Sequence, residues 1–497
     1  MHTSTLSSQL RENATDLPWV VQKFGGTSVG KFLETIASTI VSSYLEKNRV
    51  VVVCSARSGE TKEKGTTNRL LRAAKEALTD GSDKHLEIVK EITEDHLQAA
   101  KAVIKDPETL QQTQQQIEKD CRKLRSFLQA AEIIDEISPR SRDIIVGIGE
   151  KLSCTIAAAV LKDKGIDSQL VVLGDIVDKE FSVLDQEFYD YLSKKIGKII
   201  QDCGNKVPVL TGFFGNVPGS LLNTIGRGYT DLCAALAAVG VGAQELQIWK
   251  EVDGVFTADP RKIPNARHLR IITPEEAAEL TYYGSEVIHP FTMEQVIRAK
   301  IPIRIKNVEN PAGTGTVIFP EEQQKQILHS NVTCQTHRHP TAVTIKDNIC
   351  ILNVHSNRKS VSHGFLAKIF ATLDEHGIVV DLISTSEVHV SMALGADAVQ
   401  SSLDKAISEL EALGTVDVIH NMAILSLVGK HMKNTIGTAG KMFMALAKAG
   451  VNIEVISQGA SEINISCVVA EDKALFAMKA IHQCLLSLEA EEDAHSL

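Results

Sequence analysis

The sequence has 497 residues, 43% of them hydrophobic and 23% charged, with a formal net charge of −10. Length and composition predict a globular protein of two or three domains, and the negative charge argues against nucleic acid or an anionic membrane as the main partner. The nine scattered cysteines include no CxxC pair, and we find no apolar run of about 18 residues and no N-terminal signal or import sequence. These features predict a cytoplasmic protein without a zinc site or a membrane span.

The first segment with a clear pattern predicts a strand, a glycine turn and a helix. The extended run Trp19–Phe24 leads into Gly25 and Gly26, and apolar residues then recur at helical spacing through residues 32–45. Such a turn can bring backbone N–H groups to a phosphate, and Lys23 would add a positive charge beside it. The segment has neither a GxxxxGK[ST] nor a GxGxxG pattern, so an ordinary strand–helix turn with a solvated lysine remains an alternative.

The next elements predict an α/β domain with a parallel sheet. The apolar run Arg49–Cys54 is typical of a strand buried on both faces, and a helix follows over residues 68–78. Further extended runs occur at residues 170–173, 207–210, 246–249 and 302–305. Residues 84–134 are rich in Lys, Glu and Gln, and we interpret them as a helical insertion with a structural role.

The C-terminal third is predicted to contain an internal duplication. Residues 318–339 are polar and without periodicity, which marks the domain boundary. Beyond it, two passages spaced by roughly 70–75 residues have the same order of strand, loop, helix and two strands. Completed by a second helix and strand, each would form a small βαββαβ unit. The predicted domains are 16–325, with 84–134 as the insertion, then 340–415 and 420–490.

Four polar segments are candidates for a site. Residues 66–68 lie at a helix start, residues 147–150 place Glu150 after a glycine turn at the start of a helix, and in residues 226–231 an Arg stands between two glycines before a Thr-Asp pair. Residues 249–261 form a long loop after a strand, where ligands of open α/β sheets bind. Helix capping alone would explain residues 66–68, and a carboxylate that complements the helix dipole would explain Glu150. Neither effect explains the Gly-Arg-Gly sequence.

This combination of a phosphate-binding turn, an isolated Lys, an Arg and two carboxylates suits phosphoryl transfer to a small acidic acceptor. Cys54 and Cys154 have no nearby His to activate them, so catalysis by cysteine is not indicated. His289 is a candidate site residue, although a His before Pro is often a satisfied turn residue.

Five segments, taken in chain order, resemble the signature sequences of aspartate kinases. They are residues 23–29 (KFGGTSV), 149–153 (GEKLS), 226–231 (GRGYTD), 252–261 (VDGVFTADPR) and 284–290 (GSEVIHP). The duplicated C-terminal part resembles the paired ACT domains with which such enzymes sense end-product amino acids, and residues 84–134 resemble the monofunctional fungal form. The resemblance implies the amino-acid-kinase fold, a mostly parallel sheet sandwiched by helices, followed by two α+β, ferredoxin-like ACT domains.

The resemblance also implies a reaction and its residues. ATP with Mg²⁺ would phosphorylate the β-carboxylate of L-aspartate, the first step towards threonine, methionine and homoserine, and Mg²⁺ would be carried by ATP rather than by a protein metal site. Lys23 would contact the transferred phosphoryl group, and Asp231 would orient Lys23. The remaining implied contacts are the phosphate cradle of Gly25, Gly26 and Ser28, the aspartate site of Thr67, Glu150, Arg227 and Thr230, and the nucleotide pocket of Lys250, Glu251, Phe256, Arg261, Glu286 and Val287.

For regulation, the first ACT copy would bind an effector amino acid through Ser362, Gly364, Phe365, Leu366, Val380 and Asp381. The second copy has Asn452 where the sequence comparison of the copies places Asp381. The resemblance favours threonine as the effector, with lysine next, and implies a homodimer or larger homo-oligomer formed through the ACT domains.

Two positions depart from the family pattern: Tyr229 replaces a second glycine, and Lys250-Glu251 replaces a common Thr-Asp. Three other interpretations are open. One is a kinase of the same fold that acts on glutamate or on an N-acylated amino acid. The acylated substrate is disfavoured, because Glu150 suits a free ammonium. A non-catalytic amino-acid sensor would not need Lys23 and Asp231, and a generic α/β protein would need five ordered coincidences.

Overall fold

The computed structural model describes residues 10–59, 64–215, 217, 219–285, 287–320, 340–356, 364–396, 400–459 and 463–487. Up to residue 250 the elements are β1 (Trp19–Phe24), α1 (Gly26–Lys31), α2 (Leu33–Thr35), a π-helical segment (Ile36–Val41), α3 (Ser42–Tyr44), β2 (Arg49–Cys54), α4 (Thr66–Glu76), α5 (Lys84–Val103), α6 (Pro107–Ile134), α7 (Pro139–Asp163), β3 (Ser168–Val171), α8 (Gln186–Asp202), β4 (Val207–Thr211), α9 (Leu221–Thr224), a 3₁₀ turn (Gly226–Gly228), α10 (Tyr229–Val241) and β5 (Glu245–Lys250).

The later elements include the predicted duplication. They are β6 (Val255–Phe256), β7 (His268–Leu269), β8 (Ile271–Ile272), α11 (Pro274–Tyr282), α12 (Pro290–Arg298), β9 (Ile303–Asn307), β10 (Thr316–Ile318), β11 (Ala342–Ser356), α13 (Phe365–Glu375), β12 (Val380–Thr385), β13 (His389–Gly395), α14 (Gln400–Leu410), β14 (Gly414–Val428), a 3₁₀ turn (Lys430–Asn434), α15 (Thr438–Lys448), β15 (Val455–Ser457), β16 (Asn464–Ala470) and α16 (Glu471–Leu485).

The chain divides into two compact units. The first comprises the chain up to Val255 together with Ile288–Pro320, and the second comprises Phe256–Val287 and the chain from Glu321. The segment Phe256–Val287 packs with the second unit because Ala258 and Ile263 belong to its apolar core. The Thr257 hydroxyl also lies 2.9 Å from Nε2 of His482 on α16.

The first unit contains the predicted parallel sheet. Its strands follow the order β3-β4-β2-β1-β5-β9-β10, and all neighbouring pairs are parallel except β9 with β10. Strand β1 lies between β2 and β5, with Lys23 paired to Val53 on one side and to Ile248 on the other. The loops that follow β1, β2 and β5 therefore leave the same edge of the sheet, which is where ligands bind in open α/β folds.

The helix after β1 keeps its predicted apolar face but is not a regular α-helix. Leu33, Ile36, Ile40, Val41 and Leu45 are all buried as the periodicity required. The backbone changes from α to π geometry over Ile36–Val41. Short π segments inside helices are often found near functional sites.

Helix α7 corrects the prediction of a glycine turn before Glu150. One continuous helix runs from Pro139 to Asp163, so Glu150 lies near its middle. The glycines allow close packing instead, because a Cβ at Gly147 would lie 2.6 Å from the Phe213 ring and one at Gly149 would lie 2.9 Å from Leu70. Helix α7 is long and apolar enough to span a membrane by length and composition alone, but most of it is buried in the fold, as expected for a core helix.

Residues 84–134 are helical, as predicted, and form α5 and α6 with a break at Lys105 and Asp106. On α5, Asp95 accepts hydrogen bonds from Arg57 at 2.8 Å and Arg69 at 2.7 Å. On α6, Asp120 pairs with Lys151 of α7 at 2.6 Å. These charged contacts attach the insertion to the helices and loops around the sheet.

The second unit has one antiparallel sheet in which the two predicted copies share long strands. The order is β12-β13-β11-β14-β16-β15, and β11 pairs with β14 along most of its length. The sequence predicts that the second copy is one continuous stretch of chain, and this is wrong. Residues 424–428 of β14, which belong to the second copy, pair with residues 342–346 at the start of β11. The first copy is thus inserted between parts of the second, although both keep the predicted order of helices and strands.

Candidate active site

The centre of the site is an ion pair between Lys23 and Asp231. Lys23 stands near the end of β1, and its Nζ lies 2.7 Å from Oδ1 of Asp231, with side chains 12% and 18% exposed. Asp231 lies within α10 and does not cap it. The helix begins at Tyr229 with Gly228 as its N-cap and no side-chain cap, so Thr230 and Asp231 lie in its first turn. A cation and its orienting carboxylate are therefore placed at the ligand-binding edge of the sheet.

Glu150 faces the same first turn of α10 from α7. It is only 1% exposed, and Oε1 accepts a hydrogen bond from the Thr230 hydroxyl at 2.8 Å. The other oxygen, Oε2, is buried and makes no hydrogen bond of normal geometry to any described residue. Burial raises the pKa of Glu150 to about 7, against the lowering effect of the Thr230 and Tyr229 hydroxyls, the Phe213 backbone N–H and the Lys23 charge. This buried carboxylate oxygen can accept a hydrogen bond from a cationic ligand.

Tyr229, which the sequence marked only as a departure from the family pattern, is part of this environment. Its side chain is buried beside Glu150, and burial together with the Glu150 charge raises the pKa of Tyr229 well above its usual value. The Tyr229 hydroxyl therefore stays protonated beside the Glu150 carboxylate. The residue that occupies the position of a glycine thus adds a hydroxyl group to the surroundings of the buried acid.

The glycines after β1 have different roles. A Cβ at Gly26 would lie 2.3 Å from the Ala56 carbonyl oxygen, so this glycine is required by the close approach of the loop after β2. At Gly25 the nearest atom to such a Cβ is Lys23 Nζ at 3.9 Å, which leaves the turn open on the lysine side. Ser28 is buried, and its hydroxyl donates to Oε1 of Glu251 at 2.7 Å. This hydrogen bond joins α1 to the loop after β5.

The predicted nucleotide residues fall in two groups. Lys250 ends β5 in the first unit, and Glu251 follows it near the turn after β1. Phe256, Arg261 and Val287 belong to the second unit, where the Arg261 guanidinium pairs with Asp259 at 2.9 Å. Glu286 lies outside the described residues.

The remaining predicted aspartate residues lie at two helix starts. Thr67 is half-buried in the first turn of α4, and its neighbour Thr66 is fully buried. If Gly149 of α7 carried a Cβ, that atom would lie 3.1 Å from Cγ2 of Thr66. The start of α4 therefore lies against the turn of α7 that carries Glu150. Arg227 lies in the 3₁₀ turn before α10, and its side chain is outside the described part of the structure.

Sequence reasoning missed a second buried acid on α7. Asp143 is 1% exposed, and its carboxylate accepts hydrogen bonds from the Ser220 hydroxyl at 2.8 Å and from the Leu221 and Leu222 backbone N–H groups at 2.6 and 3.3 Å. The signal was its position seven residues before Glu150, two helical turns away on the same face. The incorrect glycine turn hid this relation.

His289 caps α12. Its Nδ1 accepts a hydrogen bond from the Phe291 backbone N–H at 3.3 Å, and the residue is exposed. It also lines a cavity of about 220 Å³ beside Thr224, Ile225 and Gly228. The structure thus gives this histidine a capping contact, which is the turn role that the sequence favoured.

The predicted effector residues surround the start of α13 in the second unit. Gly364 is its N-cap with φ +81°, Phe365 points into the apolar core, and Leu366 is 42% exposed. Val380 and Asp381 begin β12, whereas Ser362 lies outside the described residues.

Asp381 of the first copy forms an ion pair with Lys346, which lies on the part of β11 that belongs to the second copy. Its Oδ1 lies 2.5 Å from Lys346 Nζ, and its Oδ2 is buried without a hydrogen bond from any described residue. The strand register corrects the sequence comparison of the copies: Leu382 pairs with Ala393 and Val455 with Val468, so the counterpart of Asp381 is Glu454 and not Asn452.

Comparison with known proteins assigns the chain to a family. The amino acid kinase family model matches residues 18–307, and an ACT domain model matches residues 425–485. The chain is 55% identical to the aspartokinase of Schizosaccharomyces pombe, over 96% of this chain and 94% of that protein.

Two crystal structures of Escherichia coli aspartokinase III match with a TM-score of 0.73 and cover 94% of this chain. One is the complex with aspartate and ADP (R-state), 27% identical and covered over its full length, and the other is the complex with lysine and aspartate (T-state), 26% identical and covered over 99%. The fold, the ordered motifs and these similarities together show that the chain belongs to the aspartokinases, the aspartate kinases of the amino acid kinase family.

Proposed function

We propose that this aspartate kinase transfers the γ-phosphoryl group of ATP to the β-carboxylate of L-aspartate, and that threonine inhibits it through the second unit. The observation that carries the substrate assignment is the buried Glu150 carboxylate, whose Oε2 has no hydrogen-bond partner among the described residues. The α-ammonium of an amino acid supplies the positive charge that this oxygen lacks, and an N-acylated amino acid does not.

The acceptor needs charge neutralisation more than a base. The β-carboxylate of aspartate is already ionised at neutral pH, so the two reacting groups are both anions. Lys23, held by Asp231 at 2.7 Å, would place its charge on the transferred phosphoryl oxygens, where charge spreads in the transition state. The Arg227 turn, directly before Thr230, would receive the α-carboxylate.

The nucleotide would lie along the loops after β1 and β5. Gly25 leaves the turn open beside Lys23, and the first backbone N–H groups of α1 would offer donors to the phosphates there. Support comes from E. coli aspartokinase III, whose structure holds aspartate and ADP. Magnesium would be carried by the ATP phosphates, where it neutralises their charge.

The test is a coupled ATP assay with hydroxylamine trapping of the acyl phosphate, run on L-aspartate, L-glutamate and N-acetyl-L-aspartate. We expect a hydroxamate from aspartate that requires Mg²⁺, and a kcat/KM at least about a hundredfold lower for glutamate, whose extra methylene displaces the reacting carboxylate. Equal values for aspartate and glutamate, or efficient use of the acetylated substrate, would refute the assignment.

For regulation, Asp381 supports an amino-acid site in the first copy. Its Oδ2 is buried without a partner, as Glu150 Oε2 is, and could accept an effector ammonium. E. coli aspartokinase III with bound lysine provides a precedent for an amino-acid effector. Inhibition requires that the effector bind the inactive arrangement better, typically by about 1–3 kcal/mol.

Dose–response curves for threonine and lysine test the regulatory proposal, with Asp381→Asn as the variant and Glu454→Gln as the matched change in the other copy. We expect Asp381→Asn to raise the inhibitory threonine concentration about tenfold or more at unchanged uninhibited kcat, and Glu454→Gln to leave it unchanged. A substitution at Gly364, another predicted effector residue, would not test the site cleanly, because the positive φ of Gly364 would strain any side chain. Absence of inhibition by either amino acid would remove the proposal.

We also propose a cytoplasmic homo-oligomer formed through the second unit. The eight described cysteines are free thiols, which suits a reducing compartment. Exposed apolar side chains on its helices, including Leu366 and Phe370 on α13 and Leu475 and Phe476 on α16, offer contact surface. Light scattering after gel filtration and cell fractionation test the two statements, and a monomer or an organellar protein would refute them.

A further inference from the structure

One face of α7 contacts both ends of the segment that carries Arg227 and Thr230. Asp143 and Glu150 are seven residues apart, so their side chains project from the same face two turns apart. Asp143 binds Ser220, Leu221 and Leu222 where the segment begins, and Glu150 binds Thr230 where it ends. The segment between these contacts contains α9 and the 3₁₀ turn with Arg227.

Among the described residues, the Asp143 carboxylate accepts hydrogen bonds only from this segment. It is 1% exposed, and its three donors come from the consecutive residues 220–222. Hydrogen bonds from backbone N–H groups to a buried carboxylate are among the stronger ones, and here two of them are the first free N–H groups of α9. A neutral side chain of the same size could not accept from all three donors as well.

The backbone at Ser220 shows why such a contact is needed. Ser220 has φ +85° and ψ +134°, a conformation that residues with a side chain rarely adopt. The segment would therefore leave this conformation unless its surroundings hold it. The three contacts to Asp143 begin at the strained residue itself.

We propose that Asp143 is a positioning residue for the acceptor: it keeps the Ser220–Thr230 segment in the conformation that binds aspartate without touching the substrate. The inference rests on the proposed placement of aspartate between Glu150 and the Arg227 turn. When only a fraction of the protein has the binding-competent segment, the apparent affinity falls by that fraction. Asp143 would thus control the KM for aspartate and leave the nucleotide loops after β1 and β5 unaffected.

The first test is Asp143→Asn in the full chain, with Asp120→Asn as the matched control. Asp120 is also buried and also contacts α7, through Lys151, but it lies on α6 away from the segment. We expect Asp143→Asn to raise the aspartate KM about tenfold or more, with the ATP KM changed less than about twofold, and Asp120→Asn to change neither. An equal change of both KM values, or none, overturns the proposal.

The second test uses Ser220, because Asp143→Asn could fail to fold. Ser220→Ala removes the hydroxyl but keeps the strain, whereas Ser220→Gly removes both. We expect a raised aspartate KM in Ser220→Ala only, and a return towards the parent KM when Ser220→Gly is added to Asp143→Asn. Equal KM values in the two Ser220 variants overturn the proposal, since a merely structural acid would not be rescued by a glycine at the strained residue.

These outcomes are separate from those for the proposed function. If the parent enzyme does not phosphorylate aspartate, the substrate assignment fails before any variant is compared. If the parent does, and Asp143→Asn retains the parent aspartate KM, only the positioning role is lost. Direct titration of aspartate into each variant without ATP checks that the KM change reflects binding.

Discussion

The raised pKa of Glu150 predicts a specific pH dependence for aspartate use. With a pKa of about 7 in the free enzyme, the ionised fraction of Glu150 is about a tenth at pH 6 and about nine-tenths at pH 8. Only the ionised form can pair with the substrate ammonium, which stays protonated across this range. The kcat/KM for aspartate should therefore rise roughly tenfold from pH 6 to pH 8, with a midpoint near 7.

Glu150→Gln isolates this contribution. The amide keeps the shape of the side chain but loses the charge that a buried ammonium requires, which should cost about 2–3 kcal/mol, or about 30- to 160-fold in kcat/KM at pH 8. Because glutamine does not titrate, the rise between pH 6 and pH 8 should disappear in the variant. The loss at pH 6 should accordingly be about tenfold smaller than at pH 8.

The assay is initial-rate hydroxamate formation at saturating MgATP and varied aspartate, in constant-ionic-strength buffers from pH 5.5 to 9. A pH-dependent limb that the parent and the variant share belongs to other groups, such as the nucleotide phosphates. If the variant shows the same midpoint and slope as the parent, Glu150 does not receive the substrate ammonium. A variant with an unchanged aspartate KM at pH 8 would contradict the reasoning equally.

Three further changes have defined outcomes. Tyr229→Phe removes a donor that lowers the pKa of Glu150, so the midpoint of the aspartate profile should move above 7, and an unmoved midpoint would deny the contact. Lys23→Ala should lower kcat about a hundredfold or more with little change in the aspartate KM, measured by the same assay, and near-normal kcat would remove its role in phosphoryl transfer. Because the folded-state pKa of Glu150 lies above its ordinary value of 4.5, the folded protein binds more protons between pH 4.5 and pH 7, and the free energy of unfolding should fall as pH rises through that window. Urea unfolding of the parent and Glu150→Gln should show this fall in the parent alone, and parallel curves would contradict it.

Much of the fold was predictable because its signals are local. The apolar runs that predicted strands correspond to β2, β3, β4, β5 and β9, and the polar, proline-poor insertion forms two helices. The recurrence of one element order in the C-terminal third also predicted two ACT copies. These properties depend on periodicity and backbone preference along a continuous segment, which a sequence displays directly.

The errors arose where a residue type has more than one physical use. The sequence predicts a turn at Gly147 and Gly149, but both lie within α7, where Phe213 and Leu70 approach too closely for a side chain. Only the neighbouring elements show which use applies, because a glycine inside a helix and a glycine in a turn are identical in sequence. The error also concealed Asp143, whose relation to Glu150 depends on an unbroken helix.

The sequence by itself determined the fold class, the family and the set of polar residues at the end of β1, in α7, at the start of α10 and after β5, because each lies within a short segment of recognisable pattern. Only the tertiary structure decided how these residues act on one another. The ion pair of Lys23 with Asp231, the hydrogen bond of Glu150 with Thr230 and the hydrogen bonds of Asp143 with residues 220–222 join positions from 77 to 208 residues apart. Such contacts, and the pKa values that follow from burial, depend on the packing of distant segments and leave no periodic trace in the chain.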